Sequence, residues 1–117
     1  MKNIKVYGIP NCDTVKKATA WLNKQKIEFE FHDYKKEGIT AAMLKEWCNA
    51  KGWEVIFNKR SSTWRTLVLE QQATVNNQAQ AIKLMQEHNS IIKRPVIEAG
   101  EEILVGFEEK EYIQKLN

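Results

Sequence analysis

One cysteine lies where a strand pattern gives way to a helix pattern, and that position can activate a thiol. Cys12 follows Asn11, a good helix N-cap residue, and precedes Asp13, an acid suited to a first helical turn. Backbone N–H groups at a helix start, with Lys16 one turn on, favour the thiolate, whereas the charge of Asp13 opposes it. We expect the backbone donors to prevail, which makes Cys12 a candidate nucleophile. The alternative is a half-buried cysteine that only fills the helix start.

Arginine is scarce in this chain, which has three arginines and fifteen lysines. Arg60, Arg65 and Arg94 are therefore candidates for binding an oxyanion, because a guanidinium offers a planar fork that the ammonium of lysine lacks. The alternative is that all three are ordinary surface arginines. Arg94 differs from the others because it directly precedes Pro95 at a strand start, where the backbone is restricted and the peptide bond can be cis.

The other potentially reactive side chains are interpreted as structural. Cys48 follows Trp47 on an amphipathic helix pattern, which favours packing over a redox role. His32 and His88 lack metal-ligand spacing, so we expect no metal site and assign both to structural or solvent-facing positions. Trp64, in the middle of the chain, belongs to the core or forms one wall of a small-molecule pocket.

Composition narrows the class of protein. A length of 117 residues suits one domain, and 18 basic against 15 acidic side chains leave a net charge of +3. The lysines are scattered among acids, so no basic face for direct nucleic-acid binding is expected. No stretch is apolar enough to span a membrane, and two cysteines without a C-x-x-C pair indicate a reducing compartment. We expect a cytoplasmic monomer with neither nucleic-acid nor membrane partners.

The elements that must position Cys12 form a β-α-β unit. Alternation predicts strands over Lys2–Tyr7 and Glu28–His32, joined by a helix that ends near Lys24. The connection between the strands is long enough for a parallel crossover. The apolar residues that share one face of this helix are Val15, Ala18, Trp21 and Leu22.

The rest of the chain is a helical block followed by a hairpin and a last helix. The predicted elements are a helix that reaches Gly52, short turns over Trp53–Leu69, a helix within Ala73–His88, strands over Pro95–Glu98 and Ile103–Gly106, and a helix over Glu108–Leu116. No linker divides the chain. We therefore predict one α/β domain over residues 1–117, with a helical insertion over about 38–90.

Four segments of this sequence together resemble one family from end to end. They are Tyr7-Gly8-Ile9-Pro10-Asn11-Cys12-Asp13-Thr14-Val15-Lys16-Lys17-Ala18, Phe31-His32-Asp33-Tyr34, Asn58-Lys59-Arg60 and Ile92-Lys93-Arg94-Pro95-Val96. The chain is similar to the arsenate reductase and Spx-type superfamily, and most similar to its glutathione-dependent thiol reductase-like branch. The resemblance implies a thioredoxin-like fold, β-α-β, helical insertion, β-β-α, with a mixed four-stranded sheet.

The resemblance also implies roles for particular residues. Cys12 matches a nucleophilic cysteine, Arg60 and Arg94 match oxyanion-binding arginines, and Pro95 matches a cis proline. We include Asn11, Thr14 and Lys16 as supporting residues beside Cys12. Glutathione is then the expected co-substrate and glutaredoxin a further expected partner, with no permanently bound cofactor.

Two departures from the family pattern limit the expected activity. Arsenate reductases of this family carry a third arginine after the last hairpin, where this chain has Gly106-Phe107-Glu108. Redox-sensing Spx-type regulators have a second cysteine three residues after the first, where this chain has Val15. The sequence therefore predicts a single-cysteine thiol-dependent reductase whose adduct is released by glutathione. The alternatives are an arsenate reductase proper and a non-enzymatic Spx-like regulator that binds RNA polymerase.

Overall fold

A computed structural model of the protein describes residues 3–116. This part of the chain divides into two compact units, residues 3–37 with 94–116 and residues 38–93. The elements in chain order are β1 (Ile4–Gly8), α1 (Asp13–Lys24), β2 (Glu30–Asp33), α2 (Tyr34–Glu37), α3 (Ala41–Lys51), α4 (Trp53–Ile56), α5 (Ser62–Thr66), α6 (Leu69–Ala73), α7 (Gln78–Glu87), a 3-10 turn (Asn89–Ile91), β3 (Val96–Ala99), β4 (Glu102–Val105) and α8 (Glu109–Leu116).

The first unit is built on a mixed sheet, as predicted. Within residues 3–116 the sheet has four strands in the order β2-β1-β3-β4. Strand β1 is central, because it pairs with β2 in parallel and with β3 in antiparallel, so that Val6 lies between Phe31 and Ile97. Strands β3 and β4 pair in antiparallel around Gly100, which has φ +63°. Such a φ favours glycine in a tight connection.

The strand directions bring four chain segments to one edge of this sheet. Strands β1 and β2 end together, with Gly8 opposite Asp33. Strand β3 begins at the same edge, where Val96 pairs with Tyr7, and β4 ends there, where Val105 pairs with Val96. This edge is called the Gly8 edge below. Any residue that follows β1, β2 or β4, or that precedes β3, is placed near it.

An apolar core fixes α1 and α8 on the sheet. The predicted buried face of α1 is confirmed, because its buried residues are those chosen from the sequence. The ring of Trp21 meets the ring of Tyr112 from α8 edge to face at 5.5 Å. The core residues of this unit are Ile4, Val6, Ala18, Trp21, Leu22, Ile97, Ala99, Leu104, Tyr112 and Leu116. Helix α1 is thereby held in a fixed position, so its first turn is a rigid support for Cys12.

The second unit is helical, and side-chain caps set where its main helices begin. The hydroxyl of Thr40 accepts the Met43 N–H at 3.1 Å at the start of α3. The side-chain oxygen of Asn77 accepts the Gln80 N–H at 3.0 Å at the start of α7. Helix α3 packs against α4 and α7, and its Trp47 is fully buried.

Several predicted boundaries differ from the structure. Strand β1 reaches Gly8, and Lys2, the predicted first residue, lies outside the described residues. Strand β2 begins at Glu30 rather than Glu28, because Phe29 packs against the core before the strand ladder starts. The helix predicted within Ala73–His88 begins at Gln78, since Asn77 caps it. In residues 3–116 no helix is both long and apolar enough to cross a membrane.

Candidate active site

Cys12 is the N-cap residue of α1, not Asn11 as the sequence predicted. Its backbone is extended, with φ −134° and ψ 127°, and its carbonyl accepts the Lys16 N–H at 2.9 Å. The prediction placed the cap one residue early because the preference for asparagine at an N-cap is a weak guide to the exact helix start. Among the described residues, the Cys12 side chain caps none of the N–H groups of α1. Its sulfur therefore lacks the backbone hydrogen bonds expected from the sequence.

The donor to this sulfur is instead a side chain from another part of the Gly8 edge. The guanidinium of Arg94, directly before β3, hydrogen-bonds with the Cys12 side chain. A guanidinium only donates hydrogen bonds, so the sulfur is the acceptor, and a thiolate is the stronger acceptor of the two forms. The pairing places a positive charge beside the cysteine.

Arg94 has a second acceptor in Tyr34, the first residue of α2. The two side chains are joined by a hydrogen bond in which the tyrosine oxygen accepts. Burial lowers the pKa of Arg94, but its hydrogen bonds to Tyr34 and Cys12 raise it, and the net change is upward. The guanidinium therefore stays charged.

Tyr34 is fully buried, and sequence analysis did not select it as a site residue. Burial raises the pKa of Tyr34, and although the hydrogen bond and charge of Arg94 oppose this, the net change is upward, so the phenol stays neutral. One signal in the sequence could have found it. A polar residue directly after a parallel strand lies at the carboxyl edge of the sheet, where α/β proteins place their sites.

The backbone around Tyr34 is fixed by two hydrogen bonds between side-chain carboxylates and backbone N–H groups. The Asp33 carboxylate accepts the Lys35 N–H at 3.0 Å, and the Glu37 carboxylate accepts the Asp33 N–H at 3.2 Å. This arrangement is similar to a capping box at a helix start. Glu37 Oε2 also lies 3.7 Å from His32 Nδ1. The turn that carries Tyr34 is thus held at both ends.

A glycine lets α1 approach the end of β1. A Cβ atom built on Gly8 would lie 2.9 Å from Cγ2 of Val15, closer than real carbon atoms approach. Val15 is buried and occupies the position three residues after Cys12. The place of a second cysteine in a C-x-x-C pair is therefore filled by a packed aliphatic side chain.

Pro95 and Gly106 complete this edge. The Arg94–Pro95 peptide bond is cis, in agreement with the expectation, and Pro95 is buried. Its carbonyl accepts the Gly106 N–H at 2.8 Å, and Gly106 has φ +77°. Among the remaining predicted supporting residues, Asn11 and Lys16 are exposed and Thr14 is half-buried.

Arg60 belongs to the second unit, in the turn between α4 and α5. Its backbone N–H donates to the Asn58 side-chain oxygen at 3.0 Å, and Asn58 N–H donates to the Ile91 carbonyl at 2.8 Å. These bonds fix the backbone while the Arg60 side chain is exposed. Nearby, the ring of Trp64 packs against that of Phe57 at 5.0 Å.

The structure also describes the surroundings of Cys48 and of the two histidines. Cys48 is 2% exposed in α3, and burial, with a smaller contribution from the charge of Glu54, raises the pKa of its thiol to about 11. The ring of His32 lies 4.9 Å from that of Tyr7 with a tilt of 45°, and His88 directly follows α7 as its C-cap. In the part of the chain that the structure describes, no group of three histidine, cysteine or acidic residues could hold a metal ion.

Comparison with known proteins places this arrangement in a family. The ArsC family profile matches residues 7–115. A protein of uncharacterised function from Haemophilus influenzae is 45% identical over 109 residues, which cover 93% of this chain and 95% of that protein. The global transcriptional regulator Spx 1 of Lactococcus lactis is 28% identical over 111 residues, 92% of this chain and 84% of that protein.

Solved structures agree with this assignment. A YFFB protein is 43% identical with a TM-score of 0.95, over 98% of this chain and all (100%) of that one. An arsenate reductase (ArsC) related protein from Brucella melitensis is 38% identical with a TM-score of 0.75, over 98% and 95% of the two chains. A glutaredoxin from Archaeoglobus fulgidus is 16% identical with a TM-score of 0.50, over 100% and 88% of the two chains, and shows the fold alone.

The fold and the comparisons together define a thioredoxin-like α/β protein of the thiol-redox class. The chain belongs to the ArsC family, within the superfamily of arsenate reductases and Spx proteins. The resemblance drawn from the four sequence segments is thereby confirmed.

Proposed function

We propose that this protein is a thiol-dependent reductase in which Cys12 is the nucleophile and glutathione is the co-substrate. The observation that carries the proposal is the hydrogen bond from Arg94 to the Cys12 side chain at the Gly8 edge. A fixed positive charge beside a sulfur favours the thiolate, which is the reactive form. The same charge suits the anionic part of a substrate.

The proposed reaction has three exchange steps. The Cys12 thiolate attacks one sulfur of a disulfide, forms a mixed disulfide and releases the other sulfur as a thiolate. A glutathione thiolate then attacks the substrate sulfur of that mixed disulfide and releases Cys12 as a thiolate. A second glutathione resolves the resulting substrate–glutathione disulfide, so two glutathione molecules supply the two electrons and end as glutathione disulfide.

An external thiol is needed because the chain offers no resolving cysteine of the usual kind. The position three residues after Cys12 holds buried Val15. The chain's second cysteine, Cys48, is buried, with a thiol pKa raised to about 11 by burial. A thiol that stays protonated and covered is a poor attacking group. These features support release by a small thiol from solution.

Glutathione fits the proposed site by charge. It carries two carboxylates, and guanidinium groups bind carboxylates through paired hydrogen bonds. Arg94 would hold one of them, and Arg60 enters the proposal through the family resemblance. Glutaredoxin is a further proposed partner, and the cytoplasm is the proposed location because thiols remain reduced there.

Intact-mass analysis after incubation with glutathione disulfide tests the proposal. We expect one glutathione per chain, on the peptide that contains Cys12. The adduct should be lost in Cys12→Ser and retained in Cys48→Ser, and added reduced glutathione should remove it. Absence of an adduct on Cys12 in the folded wild-type protein would contradict the proposal.

Arsenate reduction is a second candidate, favoured by 38% identity to an arsenate reductase (ArsC) related protein. Cys12 would then form a covalent arseno-thiol intermediate, with the arginines stabilising the developing charge. The test is arsenate reduction with glutathione and glutaredoxin. Activity that Cys12→Ser abolishes would favour this candidate over a general thiol reductase.

A regulatory role is a third candidate, favoured by 28% identity to a global transcriptional regulator over 92% of this chain. Val15 leaves such a protein without a C-x-x-C redox switch, but partner binding does not need the switch. Capture of RNA polymerase from a cell extract, equal for wild type and Cys12→Ala, would favour this role over catalysis.

A further inference from the structure

We propose that Tyr34 is a positioning residue that holds the Arg94 guanidinium against Cys12. The inference rests on the proposed function of Cys12 and adds to it a residue with no thiol chemistry of its own. Its basis is a chain of two hydrogen bonds, from Arg94 to the tyrosine oxygen and from Arg94 to the cysteine sulfur.

The first argument is the low mobility of Tyr34. Its side chain is fully buried, and it is the first residue of α2, directly after Asp33, the last residue of β2. Its backbone is fixed by the bonds between Asp33, Lys35 and Glu37. A buried side chain on a fixed backbone is a rigid acceptor, because its rotamer is determined by the surrounding packing.

The second argument is the need of Arg94 for such an acceptor. Arginine loses much side-chain entropy when it is held in one conformation. A single hydrogen bond to sulfur is weak and leaves the guanidinium free to rotate about it. A second acceptor fixes the plane of the group, so the charge stays beside Cys12 whether or not a substrate is bound.

The third argument is that a neutral phenol can orient the Arg94 guanidinium without cancelling its charge, whereas a carboxylate cannot. A carboxylate in the place of Tyr34 would neutralise the charge that Arg94 offers to the sulfur and to an anionic substrate. A neutral phenol accepts one hydrogen bond from Arg94 and leaves the positive charge available. Tyrosine thus orients the arginine without cancelling its charge.

The experiment compares the alkylation of Cys12 by two reagents that differ in charge. The rate with anionic iodoacetate is divided by the rate with neutral iodoacetamide, and the quotient is normalised to that of free glutathione. Rates are followed on the peptide that contains Cys12. In wild type we expect a normalised ratio well above one. The ratio measured in Arg94→Met serves as the reference for a protein without the guanidinium.

Tyr34→Phe keeps the ring and removes the hydroxyl. We expect it to lower the ratio by about threefold to tenfold, toward Arg94→Met, in line with the loss of one hydrogen bond of ordinary strength. The salt dependence of the ratio should weaken in parallel, since less fixed charge remains to be screened. The matched control is Tyr112→Phe, which removes another buried hydroxyl that donates to the Gly106 carbonyl.

An unchanged ratio in folded Tyr34→Phe would overturn the proposal, and so would an equal decrease in Tyr112→Phe. If Tyr34→Phe does not fold, fluorotyrosine labelling of a protein that keeps Tyr34 gives a second measurement. The Tyr34 fluorine resonance, left alone in a protein with Tyr7→Phe and Tyr112→Phe, should shift on Arg94→Lys. A resonance that does not move would equally overturn the proposal. None of these readouts needs a reaction between the protein and glutathione, so they separate failure of this inference from failure of the proposed reaction.

Discussion

Gly8→Ala should destabilise the protein, although the glycine backbone there is one that alanine can adopt. The added Cβ would lie 2.9 Å from Cγ2 of Val15. Val15 cannot rotate away easily, because a β-branched residue in a helix is restricted to one favoured χ1 rotamer. It is also buried at the start of α1, whose position the core fixes. The strain must therefore be taken up by a shift of the strand or the helix.

The size of the effect follows from two opposing contributions. Inserting a methyl group into a packed contact costs about 1–3 kcal/mol. Replacing glycine by alanine reduces the entropy of the unfolded chain, which returns about 0.4–1 kcal/mol where the backbone is compatible. We expect a net loss of about 1–2 kcal/mol in the free energy of unfolding, or roughly 4 °C in Tm for each kcal/mol.

Urea denaturation of a double-mutant cycle measures this effect. Val15→Ala alone removes two buried methyl groups and should cost about 2 kcal/mol. In the double variant the new Cβ of residue 8 occupies part of the vacated space. The combined loss should then be smaller than the sum of the single losses by about 1 kcal/mol or more. Strict additivity, or a Gly8→Ala protein as stable as wild type, would refute the reasoning.

Three further predictions concern the thiols and the arginine. In native protein one thiol, Cys12, should react quickly with a thiol reagent and a second, Cys48, only after unfolding; fast labelling of both would contradict the burial of Cys48. The pKa of Cys48 is raised from 9.0 to about 11, so its contribution to stability is complete below pH 9 and is lost as the pH rises toward 11. That loss should reach about 2–3 kcal/mol in wild type and be absent in Cys48→Ala, as measured by urea titration of both proteins at each pH. Arg94→Lys keeps the charge but loses the fork, so glutathione adduct formation on Cys12 should slow about tenfold, whereas Arg65→Lys, at an exposed arginine, should leave it unchanged.

The strands and the helix of the β-α-β unit could be predicted because the patterns that indicate them extend over short stretches of sequence. The spacing of Val15, Ala18, Trp21 and Leu22 indicated the buried face of α1, and hydrophobic alternation indicated β1. The long connection to β2 predicted a parallel pair, which the register confirms. Each of these depends on side-chain period and chain length, which are readable from a single sequence.

The contacts that complete the candidate site were beyond such patterns. Tyr34 and Arg94 are 60 positions apart in the sequence, and their hydrogen bond exists only because β2 and β3 flank β1 at the same edge. The short helix α2 was also missed, since its four residues are too few for a helical period. The start of α1 was predicted one residue early, and the side-chain donor to Cys12, Arg94, was not predicted at all.

In the connection after β4, local structure disfavours an arginine at each position where the family's further oxyanion-binding arginine would lie. Gly106 has φ +77°, so any larger side chain there would carry a backbone penalty even though the space around it is open. The ring of Phe107 packs edge to face on Tyr112 at 5.0 Å, and its replacement would uncover the end of the core. Glu108 precedes α8 and its carbonyl accepts the Tyr112 N–H at 3.0 Å, a place where the helix dipole disfavours a cation. Each of the three neighbouring positions thus disfavours an arginine for a different physical reason: backbone conformation, core packing and the helix dipole.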